Sequence, residues 1–144
     1  MTDPPSQGTL LSVEIQKNAF ILTDNAVSTQ DLAARLAAEM RGVTVRVLTA
    51  SNFTGRDILP ADYCFFGCEQ PHPPEFAYLE ELLQHINLVG RPCGVFSPDS
   101  AEALRYLANL TGPSELAMSP EPLLGRMSAS PDLKQWVAGI LKQK

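Results

Sequence analysis

Three short apolar runs dominate the sequence: Ala-Phe-Ile-Leu at residues 19–22, Tyr-Cys-Phe-Phe-Gly-Cys at 63–68 and Pro-Cys-Gly-Val-Phe at 92–96. Strands that are apolar at consecutive rather than alternate positions are buried on both faces, and a sheet covered on both faces is typically built from parallel βαβ units. The segments between the runs have the matching helical spacing. Leu32, Ala33, Leu36, Ala37 and Met40 fall on one face of a helix, and Ser28 followed three residues later by Asp31 resembles a capping box, which predicts a helix starting at Ser28. Gly42 ends it. Val43, Val45 and Val47 then alternate with Thr44 and Arg46, the pattern of an edge strand with one wetter face.

Residues 49–61 carry turn-forming punctuation and predict a short helix or irregular crossover. The Pro-rich loop 69–74 cannot continue a regular element. Helical spacing resumes over 75–86 through Phe76, Leu79, Leu82, Leu83 and Ile86. Ser97-Pro98-Asp99 reads as N-cap, first-position proline and first-turn acid of a helix ending near Gly112. A weak strand at 115–118, a Pro-interrupted piece at 122–127 and a last helix opened by Ser130-Pro131-Asp132 complete the pattern. In that helix Leu133, Trp136, Val137, Ile140 and Leu141 share a face, so Trp136 is expected in the core. Spacing assigns Phe76 and Phe96 to the core as well. Five strand-like segments alternating with helices predict a three-layer α/β/α sandwich around a five-stranded parallel sheet, order 2-1-3-4-5. Residues 1–8 are expected to be disordered and 9–144 to form a single domain. The alternation of Leu11, Val13 and Ile15 reads as a half-buried strand that the pattern does not place.

Composition narrows the function. A net charge of −5, with eleven scattered Lys and Arg, gives no basic footprint for nucleic acid or an anionic membrane, and no run reaches the length of a membrane span. The expected location is the cytoplasm. A protein partner with a basic surface would suit the acidic chain, and homo-oligomerisation is left open. Cys64, Cys68 and Cys93 are odd in number and lack metal-ligand spacing, so they read as buried thiols, with a reactive Cys68 as the alternative. Cys68, Glu69 and His72 lie close in sequence but match no zinc spacing, and no nucleophile elbow or glycine-rich dinucleotide loop is present. A receiver-like reading lacks an Asp closing the third strand, where Gly67-Cys68 stands.

Over residues 18–142 the pattern resembles a flavodoxin. The likeness is carried by the strand and loop at 21–29, the acidic turn Ala61-Asp62-Tyr63, Gly67-Cys68 closing its strand, and Val95-Phe96-Ser97-Pro98-Asp99-Ser100 after the next. The resemblance implies flavin mononucleotide (FMN), held by a loop of the form Ser/Thr-x-Thr-Gly-x-Thr at a helix N-terminus. This chain places Asp24, Asn25, Ala26, Val27, Ser28 and Thr29 there, and only the last hydroxyl matches. Like charges 4 Å apart repel by about 1 kcal/mol in water, and by several times that when partly buried, so Asp24 opposes a phosphate. Val27 replaces a glycine and resists unusual backbone angles. The loops implied to hold the flavin ring, after the third and fourth strands, contain no Trp or Tyr.

The candidate FMN-contacting residues are therefore Asp24, Asn25, Ala26, Ser28 and Thr29 around the phosphate, with Cys68, Glu69, His72, Ser97 and Asp99 around the ring. The expected function is a flavodoxin-like module with a degraded FMN site, serving non-catalytically in protein interaction or regulation. The alternative is an FMN-binding electron-transfer protein.

Overall fold

The computed structural model describes residues 17–125 and 130–142. The expected disorder at 1–8, the unplaced strand at 9–16 and the end of the 122–127 piece lie outside them. Strand β1 (Lys17–Thr23) leads into α1 (Val27–Ala38) and β2 (Val43–Thr49). A 3-10 turn (Ala50–Asn52) and the one-turn helix α2 (Gly55–Ile58) form the expected crossover. Then come β3 (Tyr63–Gly67), a 3-10 turn (Pro74–Phe76), α3 (Ala77–Leu83), β4 (Pro92–Ser97), α4 (Ala101–Thr111), β5 (Ala117–Met118), β6 (Leu123–Leu124) and α5 (Ser130–Leu141).

The sheet is parallel throughout, in the order β2-β1-β3-β4-β5, with β6 also pairing with β4. The fifth position is thus one strand in two pieces. Pro92 and Cys93 face Ala117 and Met118, whereas Phe96 and Ser97 face Leu123 and Leu124. Residues 119–122 bulge between the pieces, where Pro120 and Pro122 have no N–H to give to a ladder.

Strand alternation divides the core in two. Phe20, Leu22, Cys64, Phe66, Cys93 and Val95 face a layer holding Ile58, Leu79, Leu83, Leu104 and Leu107. Ala19, Ile21, Tyr63, Phe65 and Phe96 face Leu32, Leu36, Leu133, Val137 and Ile140 of α1 and α5. Phe76 and Phe96 are fully buried, as their spacing requires. Trp136 packs edge-on against Phe65, with ring centroids 5.8 Å apart. Among the described residues β2 pairs only with β1, the edge position its alternation implies, and Val47 of its apolar face is left exposed.

Two helix starts differ from expectation. α1 begins at Val27, with Ala26 at its N-cap and no side-chain cap, because the Ser28 hydroxyl is bonded outside the helix. α4 is capped by Ser100, whose Oγ accepts the Ala103 N–H at 3.0 Å. Ser97 is instead the last residue of β4 and accepts the Ser100 N–H at 3.2 Å.

Candidate functional site

The carboxyl ends of β1, β3 and β4 bring three loops together, the crevice where open α/β sheets bind ligands. Asp24 continues the β1–β3 ladder by donating its N–H to Gly67 O at 3.2 Å, which sets its side chain between the strand ends. Only 4% of it is exposed. Its Oδ2 accepts the Glu69 N–H at 2.8 Å and its Oδ1 the Ala26 N–H at 3.3 Å. Burial pushes this carboxyl above the ordinary 3.8, with the backbone donor at Glu69 pulling the other way and the charge of Glu75 adding to the rise.

The neighbouring donors are taken in the same way. Glu75 Oε2 accepts the Asn25 N–H at 2.8 Å, and the Ser28 hydroxyl donates to Glu69 Oε2 at 2.7 Å. The Asn25 amide donates to Ser51 Oγ at 3.1 Å, and Gln30 donates to Asn25 O at 3.1 Å. Three carboxylates, Asp24, Glu69 and Glu75, thus occupy donors at the N-terminal end of α1, where an anion would otherwise sit. Thr29 is fully buried with its Oγ1 beside Asp24, and among the described residues neither this hydroxyl nor the buried one of Thr23 makes a hydrogen bond of good geometry. Val27 points an exposed apolar side chain outward.

The remaining candidates scatter. Cys68 is buried in the core, and desolvation pushes its thiol up to about 12, so it is protonated at neutral pH and a poor nucleophile. Ser97 is fully buried, and Asp99 is exposed on the loop before α4. His72 turns away from the loop around Asp24: its ring lies 4.5 Å from that of Tyr106, on the α3–α4 side of the sheet. Cys68, Glu69 and His72 therefore do not converge, and among the described residues no group of three or more His, Cys, Asp or Glu could hold a metal. The sequence reading missed Glu75, Ser51, Glu80 and Tyr106. Glu75 follows Pro74 at the expected helix start and looks like an ordinary first-turn acid; only the fold brings it to Asn25.

Comparison with known proteins agrees with this architecture. No family model matches the sequence, and no curated protein matches it. Solved structures do match. A flavodoxin from Streptococcus pneumoniae TIGR4 superposes with a TM-score of 0.75 at 20% identity, over 88% of this chain and 99% of its own. Flavodoxin 2 from Bacillus cereus gives 0.74 at 14%, over 89% and 99%. Rubredoxin oxygen:oxidoreductase from Desulfovibrio gigas gives 0.64 at 18%, with 94% of this chain on 38% of that one. The chain thus has a flavodoxin-like fold, and at these identities the likeness is one of fold alone. FMN, which such a fold implies, needs open donors for a phosphate dianion and flat side chains for its ring. The loop residues present do not fit it: carboxylates hold the donors, and the one ring in the β3 loop faces elsewhere. Among the described residues no helix is long and apolar enough to cross a membrane.

Proposed function

We propose that this protein is a flavodoxin-fold module that has exchanged its FMN phosphate site for an internal carboxylate cluster and acts non-catalytically, through protein interaction or regulation in the cytoplasm. The observation that carries this reading is the capping of the Asn25 and Ala26 N–H groups and the Ser28 hydroxyl by Glu75, Asp24 and Glu69. An incoming phosphate would have to displace these bonds and then sit among like charges at short range. The same acids and the net charge of −5 favour a basic surface on the partner.

A second reading, the FMN electron carrier, draws support from the buried hydroxyls of Thr23 and Thr29, which make no hydrogen bond of good geometry among the described residues, and from the first-turn N–H groups of α1, which have no intrahelical acceptor. Titration of FMN into the purified chain, followed by flavin fluorescence quenching, separates the two. No saturable quenching at high micromolar flavin is expected. Saturation at micromolar flavin or below, weakened by Thr29→Ala, would overturn the module reading.

A further inference from the structure

A second constellation lies away from the β1 loop, on the layer formed by α3 and α4. His72, Glu80, Gln84, Tyr106, Asn109 and Pro113 line a cleft of about 280 Å³. Small-molecule sites typically run from about 300 to 1,000 Å³, so this volume suits one inserted side chain. The Tyr106 hydroxyl donates to Glu80 Oε2 at 2.5 Å, and His72 Nδ1 lies 3.9 Å from the same oxygen. His72 takes a left-handed backbone, φ 56°, uncommon for a residue with a Cβ. That conformation sets its ring against Tyr106 and makes one wall of the cleft aromatic.

What the cleft lacks is a cation. Among the described residues no Lys or Arg lies within ion-pair distance of Glu80, and its only candidate partner is His72. The side-chain amides of Gln84 and Asn109 form no hydrogen bond with any described residue. The cleft therefore offers a half-buried carboxylate, two amide oxygens free to accept, and a ring wall. A guanidinium answers each of these: it is planar, carries five donors in a fixed fork, is weakly hydrated and stacks on rings, whereas an ammonium is a compact, strongly hydrated point charge.

We propose that the α3–α4 cleft receives an arginine side chain of a protein partner, with Glu80 as its counter-ion and the Gln84 and Asn109 amide oxygens as further acceptors. For the existence of a partner this rests on the interaction reading above, but none of its residues belongs to the carboxylate cluster. The net charge of −5 supplies the long-range complement to a basic partner.

The test is an NMR titration of the ¹⁵N-labelled full chain with Nα-acetyl-arginine-N-methylamide, an arginine between two peptide groups. Saturable shifts are expected at the Gln84 and Asn109 side-chain amides and at the backbone of Glu80 and Tyr106, with a midpoint in the millimolar range. Glu80→Gln, which can still accept from Tyr106, should weaken the midpoint at least tenfold, and the neutral citrulline counterpart should shift nothing. Should Glu80→Gln not fold, Gln84→Ala and Asn109→Ala, both at exposed positions, must each weaken it severalfold. Equal shifts from arginine and citrulline, shifts centred on Asp24 instead, or no saturation would overturn the proposal. Tighter binding of agmatine, a guanidinium without peptide groups, would also overturn it, by making the cleft a small-molecule site. Binding of FMN at the β1 loop would sink the module reading and leave these shifts unchanged.

Discussion

Asp24 is held by two opposing influences. Burial disfavours its charge, while the N–H groups of Glu69 and Ala26 favour it, and burial is the larger. The folded carboxyl therefore titrates above an unfolded aspartate at 3.8. An acid whose folded value is raised gives its full stabilisation below the unfolded value and loses it as pH rises through the folded one. The stability lost in Asp24→Ala should accordingly be larger near pH 4 than at pH 7, measured by urea denaturation of both proteins at each pH. A loss that grows with pH would mean that the backbone donors outweigh burial. The same residue shows how far sequence reaches at this scale. An acid in a phosphate-type loop is visible as a conflict with an anion, but its role as an acceptor depends on Glu69, 45 positions away.

At the scale of elements, close packing of strand against strand explains a residue that composition does not. Gly67 closes β3 opposite Phe96 in the register of β3 and β4, and a Cβ built there would lie 2.1 Å from Cε2 of the Phe96 ring, far inside van der Waals contact. Phe96 is itself fully buried between β4 and the α1–α5 layer, so it has little room to move. Gly67→Ala should cost about 1–3 kcal/mol, the usual range for overpacking, read from the urea midpoint at constant slope. An unchanged midpoint would mean that the ring swings aside freely. Strand order and helix layers were legible because consecutive apolar residues and 3.6-residue spacing are local signals of burial. Helix starts were not. Ser28 and Ser97 both carry the side chain of a cap, yet Ser28 bonds Glu69 and Ser97 lies within β4 and accepts from Ser100. Choosing among serines two or three residues apart requires knowing where the strand ends. His72 was legible as a ring with no periodic reason for burial, but its stacking on Tyr106 was not, since two helices must first be placed side by side.

For the molecule as a whole, the question is whether the two apolar layers fold as one. The sheet separates them: Leu79 and Leu83 belong to one, while Leu133, Val137 and Ile140 belong to the other with Trp136 against it. Each strand contributes to both, because neighbours such as Phe65 and Phe66 point to opposite faces. Losing one layer would therefore strip one face of β1, β3 and β4 and expose fully buried side chains, which argues for a single cooperative unit. The chain holds one tryptophan, and it lies beside Phe65, with Nε1 donating to Glu121 O at 2.7 Å. Its fluorescence therefore reports the α1–α5 side of the sheet. Leu79→Ala, made in the opposite layer at a fully buried position, should destabilise by about 2–5 kcal/mol. If the layers are coupled, the Trp136 transition in urea shifts by that full amount and stays superimposed on the far-ultraviolet circular dichroism transition. If Trp136 unfolds at its original midpoint while the dichroism signal divides into two steps, the sheet insulates its faces from each other.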